Sequence, residues 1–499
     1  MSGNVHAFIA VAMVIQLQDT GQPYEGVTII ALPNELILEI FNYFLDQAPD
    51  DDDDDDDDAW HTLVHVCRQW RHLVFASSKH LNIRLLCTRD RLAKDLLDLW
   101  PPLPIIISDS ARRKARLELE GAKTIVAAFK ERDRICIIDL RAVPALLWKP
   151  FLTMVEPFPV LTSLTLHSGG FYLRTLPDSF LGGASPCLQE LHLYGIPFPA
   201  LGDLLLSTNN LINLHLEEIP HSGYITPQAM VTSLPALTRL ESCILEFRFR
   251  RSVHERTSQR PLTMKRVVLH ALIRFKFQGD SEYLEEIVSQ IDTPRLKSFT
   301  VTFFDRPVFN IPQLRDFISR TEPLRVPHRV DVAFRASGTI VTFYPPNAVD
   351  DHTALTLGVK CGRFGPQFSS LVQLCVSSLP PLPTLECLHT RNDTSTVGPI
   401  IEPTAWVELL RLFSSLKNVD LSGKLVSHVA FVLKELSEGH NTLGVTEVLP
   451  TLKNILVDDR WVRKRDREAI EEFVVARQRS GSPVVVQYQE KRACVVHVT

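Results

Sequence analysis

A six-residue alternation of apolar and polar positions returns along most of this chain. It reads Leu161-Thr162-Ser163-Leu164-Thr165-Leu166 after Pro159, and again Leu188-Gln189-Glu190-Leu191-His192-Leu193 after Pro186. Further copies run from Asn210 to Leu216, Pro235 to Leu240, Pro294 to Val301, Ser370 to Val376, Ser415 to Leu421 and Pro450 to Val457, with a weaker one from Met264 to Leu269. In Leu-x-x-Leu-x-Leu the second and third apolar residues lie two apart, the period of a strand with one buried face. The first anchors the turn that leads in. At Leu188 this predicts Leu188, Leu191 and Leu193 buried and Gln189, Glu190 and His192 exposed. The first copies lie 23 to 27 residues apart and later ones are wider, so the array is irregular. Arg329 to Phe334 and Thr339 to Tyr344 also alternate, around Ser337-Gly338. They predict two strands, either a hairpin or successive strands of degenerate repeats.

A longer period governs the beginning. Pro33 suits the first turn of a helix, where its missing N–H is no loss. Glu35 follows where a carboxylate meets the positive end of the helix dipole. Leu36, Ile37, Ile40, Phe41, Phe44 and Leu45 then recur at helical spacing, with Glu39 and Asn42 on the wet side. A second helix is expected through Leu63, Val66, Cys67, Trp70, Leu73 and Val74, leaving Arg68, Gln69, Arg71 and His72 outside. Two short amphipathic helices cannot bury both stripes alone and need a partner or a neighbouring domain. Helices are also expected over Arg89–Trp100 and Arg112–Lys130, and strands at Ile105–Ile107 and Ile135–Leu140. Near the end, Arg465 to Arg479 reads as a basic-edged helix and Val484 to Tyr488 as a closing strand.

Leu32-Pro33, the stripe through Ile40-Phe41 and Leu45, and Val66-Cys67-Arg68-Gln69-Trp70-Arg71 together resemble an F-box. F-box modules are three-helix adaptors that dock onto a Skp-type protein in Skp–cullin–F-box ubiquitin ligases. The resemblance covers residues 28–85. It implies an adaptor-binding surface formed or supported by Leu32, Pro33, Leu36, Ile40, Leu45, Val66, Cys67 and Trp70. Asp50 to Asp58, nine consecutive aspartates, stand where the family has a short turn. Closing a longer loop costs only about 0.6 kcal/mol per doubling, so such an insertion is tolerable. The recurring Leu-x-x-Leu-x-Leu resembles a leucine-rich repeat, whose units stack strand beside strand. The pair looks most like the large fungal families of F-box proteins with divergent repeats.

The expected organisation is a leader over 1–27, the helical module with its acidic loop over 28–85, and a linker and N-terminal cap over 86–158. An irregular repeat array then spans 159–460 and a C-terminal cap 461–499. The expected fold class is α+β with repeats: a small helical module followed by an α/β solenoid.

Charge and cysteine usage change this picture little. The formal net charge is −5, and the aspartate run alone sets its sign. No strong whole-chain pull toward nucleic acid or an acidic partner follows. The nine cysteines are scattered, with no Cys-x-x-Cys pair, which argues for buried thiols in a reducing compartment rather than structural zinc. Phe8 to Leu17 is apolar but lacks a basic flank and is too short to span a bilayer. A cytoplasmic or nuclear protein with no membrane or nucleic-acid partner is therefore expected.

Motifs of chemistry are missing. Gly182-Gly183-Ala184-Ser185-Pro186 lacks the last glycine of a nucleophile elbow, and no P-loop or dinucleotide fingerprint occurs. His215-Leu216-Glu217-Glu218 invites a metalloprotease reading, but His221 sits at the wrong offset with Pro220 between. The aspartate run lacks the glycine turn and alternating ligands of a calcium site and reads as a solvated loop. Arg248, Arg250, Arg251, Arg256 and Arg260, with Phe247 and Phe249 among them, read as a strand followed by a charged loop. The expectation is a chain with no catalytic residues, cofactor or metal. It would hold a Skp-type adaptor through its helices and an unknown protein substrate through its repeats. The alternative is a repeat scaffold with no ubiquitin-ligase role.

Overall fold

The computed structural model describes residues 32–46, 59–88, 100–108, 125–143, 147–168, 174–250, 266–304, 308–335, 338–346, 354–360, 367–392, 403–437 and 448–489. The expected leader, the aspartate run, the helix from Arg89 up to Trp100, most of the helix from Arg112, and Arg251, Arg256 and Arg260 lie outside the described residues. The chain divides into two compact units, Met1–Ala128 and Phe129–Thr499. That division falls inside the segment read as linker and cap.

Among its described residues the first unit holds the helices α1 (Asn34–Asp46), α2 (Ala59–Val66) and α3 (Arg68–Ala76), a helical stretch at 125–128, and the short strands β1 (Leu85–Cys87) and β2 (Ile105–Ser108). Pro33 opens α1 by lending its carbonyl to the N–H groups of Leu36 and Ile37. The single second helix expected from sequence is two. Cys67 leaves helical geometry (φ −157°, ψ 171°) and its Sγ accepts from the Trp70 N–H at 3.4 Å. A thiol in an N-cap position restarts the helix, which apolar spacing alone does not reveal. Ile37, Phe41, Leu63, Val64, Leu73 and Val74 are buried together, and Phe41 meets Trp70 edge-on with ring centroids 4.7 Å apart. Trp60 and His61 pack on Trp100, the imidazole stacked at 5.1 Å. β1 and β2 pair in parallel, Leu85 opposite Ile105.

The second unit is an α/β array on one mostly parallel sheet. Its strands are β3 (Ile135–Val143), β4 (Ser163–Ser168), β5 (Glu190–Tyr194), β6 (Asn213–Ile219), β7 (Ser242–Phe247), β8 (Val267–Val268), β9 (Arg274–Gly279), β10 (Ile291–Asp292), β11 (Ser298–Phe304), β12 (Arg329–Arg335), β13 (Gly338–Tyr344), β14 (Leu355–Lys360), β15 (Cys387–Asn392), β16 (Asn418–Leu421), β17 (Asn454–Asp458) and β18 (Val485–Gln489). The sheet order in this unit is β3-β4-β5-β6-β7-β9-β11-β14-β13-β12-β15-β16-β17-β18, while β8 and β10 pair apart. Helices lie between the strands: α4 (Trp148–Leu152), α5 (Leu201–Ser207), α6 (Pro227–Ser233), α7 (Ser281–Gln290), α8 (Pro312–Arg320), α9 (Glu322–Arg325), α10 (Gln367–Ser378), α11 (Pro403–Leu412), α12 (Leu425–Ser437) and α13 (Lys464–Arg479).

The leucine alternation sets the register. Leu164, Leu191, Leu214, Cys243, Phe275 and Phe299 stand opposite one another along successive strands, and Leu166, Leu193, Leu216, Leu245, Phe277 and Val301 form the next row. All are buried. Each buried side chain of this size contributes about 1.5–3 kcal/mol of transfer free energy. The anchoring leucine has its own geometry. Leu161, Leu188, Leu211, Leu240, Leu272, Leu296, Leu385, Leu416 and Leu452 each donate their N–H to the carbonyl three residues earlier, which makes the turn into the strand.

Three sequence expectations fail against this ladder. The copy at Leu237 is shifted by three residues: the anchor is Leu240, and Cys243 and Leu245 fill the strand positions. Ser370 to Val376 is not a strand but part of α10. There Phe368, Leu371, Val372 and Cys375 share a buried face at helical spacing, so the six-residue pattern is coincidental. The weak copy near Met264 supplies only β8, outside the main ladder. Two copies went unseen, at Leu272-Ile273-Arg274-Phe275-Lys276-Phe277 and Leu385-Glu386-Cys387-Leu388-His389-Thr390, because phenylalanine and threonine replace leucines.

The undecided pair at 329–344 is a hairpin. β12 and β13 run antiparallel, and β13 pairs antiparallel with β14. Gly338 (φ +156°) begins β13 where β14 comes close, and a Cβ there would collide with the Val359 carbonyl oxygen. At the far edge α13 packs on α12, and Asp466, almost fully buried, accepts from Ser427 Oγ (2.7 Å) and from the Arg463 N–H (3.1 Å). β18 closes the sheet beside β17. Among the described residues no helix is long and apolar enough to cross a membrane.

Candidate functional site

Helix α1 carries more apolar surface than its neighbours cover. Ile37 and Phe41 turn inward and are fully buried, whereas Leu36, Ile40 and Tyr43 are 51%, 41% and 59% exposed. Positions 36, 40 and 43 follow i, i+4, i+7 and form one outer stripe, continued by exposed Pro33. The broad apolar arc read from sequence is therefore two faces, one holding the unit together and one open. Leu32 and Leu45 are half-buried. Tyr43 belongs to the open stripe but was not expected there. Its spacing from Leu36 and Ile40 was the available signal.

The remaining expected site residues divide. Val66, at the end of α2, is 42% exposed. Cys67 is half-buried and caps α3. Trp70 is buried against Phe41 and offers no surface. Its role is to support α1 from behind, because burying a large ring against α1 stabilises the module more than exposing it would. Arg71 Nε holds the Val64 carbonyl at 2.9 Å and locks α2 to α3. Burial, with His65 nearby, holds the His61 imidazole below its usual basicity.

In the second unit the polar positions between the leucines line the opposite face of the strands. Gln189 and Glu190 are exposed as expected, but His192 is only half-exposed. Its ring is flanked by those of His167 (centroids 4.8 Å) and His215 (5.5 Å) on the adjacent strands. The positive cluster read at Arg248 and Arg250 is largely offset: Arg248 faces Glu218 (3.7 Å) and Arg250 faces Asp280 (3.9 Å). Phe247 is buried, and only Phe249 stands out. No family model matches this chain, and no curated protein matches it.

Proposed function

We propose that this chain is an adaptor, holding a Skp-type protein through the α1 stripe and presenting a protein substrate on the second unit for ubiquitin transfer by other subunits. The observation that carries the reading is the row of Pro33, Leu36, Ile40 and Tyr43. A helix of a small three-helix module leaves large apolar side chains in water while its inner face is fully packed. Such a patch marks a surface that another protein covers. The residues that drew the F-box resemblance divide between that row and its support. The parallel ladder, with its anchoring leucines, supports reading the second unit as irregular leucine-rich repeats. Stacked repeats present an extended face suited to protein recognition.

The test is co-purification of a Skp-type adaptor with the full chain and with Leu36→Asp and Ile40→Asp. Both side chains are exposed, so the fold tolerates the change. Interface anchors of this kind contribute about 2 kcal/mol or more, so each variant is expected to bind roughly thirtyfold more weakly or worse. Failure of the unaltered chain to capture the adaptor would favour the repeat scaffold without a ligase role.

A further inference from the structure

The histidines of β4, β5 and β6 come from successive strands of the ladder and meet on one face. His192 stands opposite His215 in the parallel register. Glu217 follows two residues after His215, so the period of the strand returns it to the same side. One ligand atom from each of His192, His215 and Glu217 lies within 4.8 Å of the others. All three side chains are half-buried, so the site is reachable but sheltered.

The geometry points to a binding site for a zinc-class divalent cation, held by His192, His215 and Glu217. Three observations support it. First, His192 Nε2 is buried without a hydrogen-bond partner although Glu217 Oε1 lies only 3.0 Å away. A ring nitrogen and a carboxylate oxygen brought together without a bond between them are both satisfied by a cation. Second, the His215 ring is pinned by Ser242 Oγ, 3.1 Å from its Nε2. Hydrogen bonding through one nitrogen is how ligating imidazoles are commonly oriented. Third, the donor set is two imidazoles and one carboxylate. This set suits zinc and its neighbours in the transition series and does not suit calcium or magnesium, which prefer oxygen alone. Tetrahedral bonds of about 2.0–2.2 Å place ligand atoms about 3.4 Å apart, so a group spread over as much as 4.8 Å closes around the ion by rotation of its side chains.

Three protein ligands leave a tetrahedral ion one position for water or for a side chain of a bound protein. His167, next along the row, has a buried Nε2 with no hydrogen-bond partner and is the nearest further imidazole. The site does not depend on the adaptor reading, and all of its residues lie on strands of the second unit.

The experiment uses the full chain, stripped with a chelator and titrated with Co²⁺ as a visible probe and with Zn²⁺. One Co²⁺ per chain is expected, with the strong visible absorption of a four-coordinate site, displaced by Zn²⁺ and not by Mg²⁺. His192→Ala, His215→Ala and Glu217→Gln should each weaken binding by more than the roughly 10–100-fold that loss of an outer partner produces. His270→Ala, at an exposed histidine elsewhere, should bind as the unaltered chain does. Glu217→Gln removes the charge at nearly constant shape and keeps the test open should a histidine variant fail to fold. Absence of Co²⁺ binding by the unaltered chain, or equal binding by Glu217→Gln and the unaltered chain, would overturn the assignment.

Discussion

α1 and α12 are both thirteen-residue amphipathic helices, and they are used in opposite ways. α12 buries Leu425, Val426, Val429, Ala430, Val432, Leu433 and Leu436, and only Phe431 among its large apolar side chains is exposed. α1 buries Ile37 and Phe41 and leaves Leu36, Ile40 and Tyr43 in water. The difference lies in the surroundings, not in the apolar content. α12 has sheet on one side and α13 along its flank, whereas among the described residues the helices packed on α1 are the short α2 and α3. An apolar stripe thus becomes core or exposed surface according to what the rest of the chain brings to it.

The largest effect that would break this comparison is at the inner face of α1. Phe41→Ala should cost about 3–5 kcal/mol, read as loss of the first unit's unfolding transition in chemical denaturation. Leu433→Ala in α12 should cost about 2–5 kcal/mol and lower the melting temperature of the second unit. A mild Leu433→Ala would mean that α12 is not the fully packed member of the pair. A smaller effect follows from His428, half-buried on α12. Burial lowers its pKa below the ordinary 6.5, while Asp466 opposes the shift more weakly. The unfolded chain therefore takes up the proton first, and stability is lost as pH falls through about 6.5. His428→Gln should flatten that part of the pH–stability profile measured by urea unfolding. The smallest effect sharpens the contrast: Leu36→Ser and Ile40→Ser should each change stability within about 0.5 kcal/mol, by thermal melting, although both replace large apolar side chains.

Much of the strand ladder could be read in the sequence, because a buried strand row demands apolar residues two apart. Leu164/Leu166, Leu191/Leu193 and Leu214/Leu216 follow that demand. Where the ladder accepts phenylalanine or threonine, as at Phe275 and Thr390, the leucine pattern is blind. It also reports a false strand where helical spacing mimics it, as at Leu371. The Cys67 cap, a break between two helices, leaves no trace in apolar periodicity. For α1, most of the apolar arc was legible, but Tyr43 and the division into an inner and an exposed face were not. Which half of the arc around Leu36, Ile37, Ile40 and Phe41 turns inward is decided by Trp70, a residue of a different helix. The histidine cluster was hidden for a related reason. His192 and His215 occupy the same slot between leucines of successive copies, and only parallel register turns that equivalence into proximity.

The reversed segment β12-β13-β14 has a consequence for the order of folding. From β3 to β11 each strand of the sheet pairs with the next sheet strand along the chain, with only the short β8 and β10 set aside, so assembly advances by closing loops of similar size. At β11 this stops: Phe299 pairs with Leu355, more than twice as far along the chain as Leu191 is from Leu214. The entropy of closing the longer loop adds little, but β14 also pairs with β13, its neighbour along the chain, and β13 with β12, so this antiparallel meander closes through shorter loops than the β11–β14 pairing does. The meander is therefore expected to form as its own nucleus and to join two parallel half-ladders that grow independently on either side of it.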